Sequence, residues 1–137
     1  MSRSGFDDAF RRGKVSAEAV EALLAYAETQ SRSWFGTRSA ESLDKAITLS
    51  RQLVARDAAE HTALLARVLY TTARQLLRRG RADEALPRAE EAAALARCLG
   101  GPALVVALAC LSETLAKLGR RTEAAVLLSE VDKITSG

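Results

Sequence analysis

The sequence predicts an all-α fold: a short α-solenoid of about three helix-turn-helix pairs, preceded by a short N-terminal helix. Three observations carry this. The chain of 137 residues is rich in Ala, Leu, Glu and Arg and has only two prolines, a composition that favours helix throughout. Its apolar residues recur at helical spacing. Finally, residues 76–92, LLRRGRADEALPRAEEA, are echoed by residues 115–131, LAKLGRRTEAAVLLSEV, 39 positions later. Both stretches read as an apolar helix end, a glycine, an acidic opening and a run of small apolar residues.

The elements follow in chain order. SGFDDAFRR suggests one short helix. SAEAVEALLAYAETQSRS forms the first long one, with Ser16 as its cap and Tyr26 on its apolar side. The connection WFGTRSAES leads to SLDKAITLSRQLV. Asp57 opens the next helix as DAAE, a capping-box pattern with Glu60 three residues on. Leu65, Ala66, Val68, Leu69, Ala73, Leu76 and Leu77 then cover about half the circumference, as suits a helix packed on two sides. Gly80 breaks it, Asp83 and Glu84 favour the start of its successor, and Pro87 lies early enough to be tolerated. Gly100-Gly101 and Pro102 separate that helix from ALVVALACLSETLAKL, and Gly119 precedes the last one. There Ala124, Leu127, Leu128, Val131 and Ile134 form one apolar stripe.

The interval is regular. Gly80 matches Gly119, Leu69 matches Leu108, Leu76 matches Leu115, and Ala85 matches Ala124 and, one step back, Ala46. A single pair cannot bury its own apolar faces, so neighbouring pairs share a core. The pairs fall at about 16–55, 57–99 and 102–134 within one domain spanning 1–137.

These residues resemble tetratricopeptide repeats over 62–131. Such repeats place small residues where their helices cross, and Ala73, Ala85 and Ala92 match those places, with Leu69, Leu76 and Gly80 at the usual apolar and turn positions. The last copy keeps Leu108, Leu115, Gly119 and Ala124 but has Ser112 and Val131 at two small-residue positions. The interval exceeds the family's usual length, as in the longer repeats of GC-rich bacterial regulators, and residues 1–56 match least well. The resemblance implies a right-handed solenoid whose leading helices line a concave, peptide-binding groove.

Chemistry is sparse. No Gly-rich phosphate loop is present, and His61, the sole histidine, sits beside Glu60 in a first helical turn. Adjacent Glu90 and Glu91 point apart on a helix. Cys98 and Cys110 have neither CxxC spacing nor partner histidines and read as small buried thiols. No catalytic residue, metal site or cofactor is expected. With no apolar leader and no run long enough to span a bilayer, the expectation is a cytoplasmic protein without a membrane partner. Sixteen arginines against four lysines fit GC-rich coding, and a dispersed net charge of +3 does not make nucleic acid the expected partner.

What remains is a surface. Arg67, Arg74 and Arg78 recur on one helix face with Tyr70 and Thr71 beside them. The matching face one repeat on presents Val106, Ala109, Cys110, Glu113 and Lys117. A groove lined this way is positive with an apolar strip and suits an acidic protein or peptide segment. It has no asparagine, so the carboxylate clamp of chaperone-binding family members does not carry over. Trp34, in SRSWFGTRS, is a second candidate anchor, weighed against a role as a plug beneath the long first connection. The expected function is a non-catalytic adaptor that holds a partner in its groove. The alternatives are a ligand- or peptide-sensing module working with a transcriptional regulator, or an accessory protein or enzyme of a biosynthetic pathway. Ala125 and Val126, apolar and off the main stripe of the last helix, also admit a homodimer that covers one end of the array.

Overall fold

The computed structural model describes residues 16–30 and 36–137. The helix expected at SGFDDAFRR, and Trp34 with its neighbour Phe35, lie outside the described residues. Among the described residues six helices follow one another: α1 (Ala17–Gln30), α2 (Gly36–Arg56), α3 (Ala58–Arg78), α4 (Ala82–Leu99), α5 (Gly101–Lys117) and α6 (Arg121–Ser136). No strand occurs among the described residues, so the chain is all-α. It divides into two compact units, Met1–Val68 and Leu69–Gly137, with the division inside α3.

In the first unit α1 packs on α2. Ser16 starts α1 by accepting the Ala19 N–H on its hydroxyl at 3.2 Å. Val20, Leu24 and Ala27 are buried on α1, and Leu43 and Ala46 on α2. The segment TRSAES was expected as loop but is already helix, since α2 begins at Gly36. The reason is local: Ser39 is fully buried and donates its hydroxyl hydrogen to the Ala27 carbonyl of α1 at 3.2 Å. A satisfied serine behaves as a small core residue, which composition alone does not reveal. Tyr26, expected in the core, is 39% exposed. A single residue, Asp57, separates α2 from α3. Its N–H bonds the Leu53 carbonyl at 2.9 Å and its carboxylate accepts the Glu60 N–H at 3.1 Å, half of the expected capping box.

In the second unit the repeated sequence folds into a repeated turn. At the end of α3 the Arg81 N–H bonds the Leu76 carbonyl at 2.9 Å and the Gly80 N–H bonds Leu77 at 3.0 Å. At the end of α5 Arg120 bonds Leu115 at 2.9 Å and Gly119 bonds Ala116 at 3.0 Å. Both glycines adopt the left-handed conformation, with φ of 74° and 81°, which closes a helix and aims the chain back on itself. Pro87 sits inside α4 on an exposed face, beside the equally exposed Asp83 whose carbonyl it cannot bond.

The buried side of α4 consists of Ala85, Ala89, Ala92, Ala93 and Ala96. Twelve of the twenty-five buried apolar residues among those described are alanines, so backbones approach closely and small side chains fill the seams. Burial follows the sequence interval: Ala46, Ala85 and Ala124 are all buried, as are Leu69 and Leu108, and Ala73 and Ser112. Ser112, 3% exposed, donates to the Ala124 carbonyl of α6 at 3.0 Å. Two expectations are corrected here. Cys98 is exposed, because it lies on the face of α4 opposite the alanines. Leu128 leaves the apolar stripe of α6 and is 51% exposed, as it sits about 100° round the helix from Leu127. α4 and α6 are linked at their surface by Arg97 and Glu130, in a two-pronged ion pair whose second hydrogen bond measures 3.1 Å.

Candidate functional site

α3, α4 and α5 meet around Ala73, Ala85, Ala89 and Cys110, with Tyr70, Leu76, Leu77 and Leu111 packed against this cluster. Short turns at Gly80 and Gly100 join α3 to α4 and α4 to α5. The Cys110 thiol donates to the Tyr70 carbonyl at 3.8 Å, which fixes their register. Tyr70 is therefore half-buried, its ring used in packing rather than standing free.

One turn further on, Arg74 of α3 and Glu113 of α5 both act on the Cys110 thiol. Burial pushes that thiol up to about 11; the Glu113 carboxylate adds to the rise, while Arg74 and a hydrogen bond with Thr114 oppose it. Arg78 and Lys117 each follow four residues further along their own helix and correspond by the 39-residue interval. Arg74, Arg78, Glu113 and Lys117 are exposed and form no ion pair with any other described residue, and Thr71 between them is half-buried. Of the sequence-derived residues, Tyr70, Arg74 and Glu113 are thus brought together around Cys110.

Arg67 differs. It belongs to the first unit, where its guanidinium bonds Glu21 at 2.6 Å and approaches Glu28 at 3.8 Å, both on α1. Its charge is compensated within its own unit.

Beside α5 lies a feature the sequence reading did not single out. An open groove of about 370 Å³ runs between α5 and α6, lined by Ala109, Ser112, Glu113, Ala116, Arg121, Ala124, Ala125 and Leu128. Alanines at Ala109 and Ala116 on α5, facing Ala125 on α6, leave this space. The seven-residue spacing of the first two was the available signal. Glu113 both lines the groove and acts on the Cys110 thiol.

Among the described residues no group of three His, Cys, Asp or Glu side chains is placed to hold a metal ion, and no helix is long and apolar enough to cross a membrane. Set beside known proteins, the chain matches no family model and no curated relative.

Proposed function

We propose that this chain is a non-catalytic helical-repeat adaptor of the tetratricopeptide type, which binds an acidic segment of a partner protein along the α3–α5 strip. The observation that carries the reading is the set of exposed cations Arg74, Arg78 and Lys117 without ion-pair partners among the described residues. Other arginines are matched, Arg67 with Glu21, Arg97 with Glu130 and Arg120 with Glu123, whereas these three cations lie on neighbouring helices with only Glu113 of opposite charge beside them. Exposed cations held a helical turn apart suit carboxylates spaced along an extended or helical segment, and Tyr70 and Thr71 add apolar area and a hydroxyl. Glu113 sets the limit of the positive run and selects against a partner that is acidic throughout.

The test uses peptides with clustered Asp and Glu against their amide counterparts. Arg74→Glu should weaken the acidic peptides about tenfold or more and flatten the salt dependence, with the helical signal intact. Arg56→Glu, an exposed reversal in the first unit with the same change in net charge, should do far less. Equal losses in both variants would make the attraction diffuse, and no difference between acidic and amide peptides would end the reading.

A further inference from the structure

We propose that α6 and the groove beside it form a two-fold interface, occupied by α6 of a second copy of this chain running antiparallel. The charge pattern of α6 is what selects this occupant. Arg121, Ala125, Leu128 and Asp132 fall on one stripe of the helix, and all four are exposed. The first three line the groove. Positions 121 and 132 sum to the same value as 125 and 128, so a two-fold axis between residues 126 and 127 pairs Arg121 with the other copy's Asp132. The same axis pairs Ala125 with the other copy's Leu128. One operation therefore matches both the charges and the sizes: a cation meets an anion at each end, and a leucine meets an alanine twice in the middle.

Both charged residues also stand at ends of α6 that do not favour them. Arg121 is the first residue of the helix, where the backbone dipole is positive, and Asp132 lies just before the last turn, where it is negative. Neither makes an ion pair with another described residue. An antiparallel copy brings an anion to the first and a cation to the second. The groove supplies the room. Its volume of about 370 Å³ accepts a leucine side chain, and Ala109 and Ala116 let a third helix approach α5. Leu128, half in water at 51% exposure, is the anchor that gains most from being covered. Glu113 also lines the groove, one turn before Lys117 on its own helix.

The experiment is sedimentation equilibrium of the full chain over a dilution series from millimolar to low micromolar. The wild type should show a reversible monomer–dimer equilibrium. Leu128→Arg should be monomeric. Arg121→Asp and Asp132→Arg should each weaken the dimer about tenfold or more, because symmetry counts every reversal twice. The double variant, with both reversals, should recover the wild-type equilibrium. All these positions are exposed, and circular dichroism verifies that each variant folds. A wild type that stays monomeric at every concentration leaves the groove to a different polypeptide and overturns the proposal. So does a dimer indifferent to the single reversals, or a double variant that fails to recover.

Discussion

At the scale of single residues the two cysteines show how far context sets chemistry. Cys98 and Cys110 both fall in largely apolar helical stretches, yet one faces water and the other is buried with its thiol on the Tyr70 carbonyl. The thiolate is the reactive form, so the buried thiol, raised to about 11 by burial and by Glu113, stays protonated at neutral pH. A thiol-specific reagent applied to the folded chain should modify Cys98 alone, and Cys110 should react only as denaturant unfolds the protein. Rapid labelling of Cys110 in the native state, read by mass spectrometry of peptides, would contradict its placement. Sequence could not separate these two because the difference lies in helix phase, and α4 has alanines on more than one face. The same ambiguity misplaced Leu128 and Tyr26. The exposure of Arg74 and Arg78 was legible, since residues four apart share a helix face regardless of what packs behind. The compensation of Arg67 was not, because Glu21 is 46 positions away in the chain.

At the scale of elements the instruction is written in the turns. The turns at Gly80 and Gly119 make the same two hydrogen bonds, one from the glycine and one from the arginine after it, with the same positive φ at the glycine. A Cβ at either position meets nothing within 4 Å, so the cost of a side chain there is purely conformational. Gly80→Ala and Gly119→Ala should each lower the unfolding free energy by about 1 kcal/mol, measured by urea titration, with little change in helix content. Costs near zero, or very different at the two sites, would mean the turns are not equivalent. Helix boundaries in the last two pairs were readable because glycine, proline and acidic residues punctuate them. The first pair was less so: SAES looks like a loop until the carbonyl that receives the Ser39 hydroxyl is known.

At the scale of the whole molecule, stability should depend on pH at both extremes. Arg97 holds the Glu130 carboxyl below its ordinary value of 4.5, and Arg120 does the same for Glu123. A lowered carboxylate contributes stability that is present above 4.5 and is lost as pH falls through the depressed folded-state values. Both pairs are exposed, so the acidic loss is slight. Cys110 acts in the opposite sense: its contribution is complete below 9.0 and is lost as pH rises from there towards about 11. Thermal melts should therefore show a plateau between these limits, and the stability gap between wild type and Cys110→Ala should narrow above pH 9.0. A constant gap would remove the assigned burial. The repeat itself was the most legible feature of all. The interval of 39 relates buried Ala46, Ala85 and Ala124, and buried Leu69 and Leu108, while Leu76 is half-buried where Leu115 is buried.

The alanine face of α4 has a hereditary consequence. A single base change in an alanine codon yields glycine, serine, threonine, valine, proline or an acidic residue. At Ala85, Ala89, Ala92, Ala93 and Ala96 nearly all of these enlarge, charge or break a helix that has no spare room. Only serine, which can return its hydroxyl to the backbone as Ser39 and Ser112 do, enters such a seam at small cost. The lineage of this helix is thus confined to a narrow corridor of neighbouring genotypes, a steric constraint that its exposed face does not share.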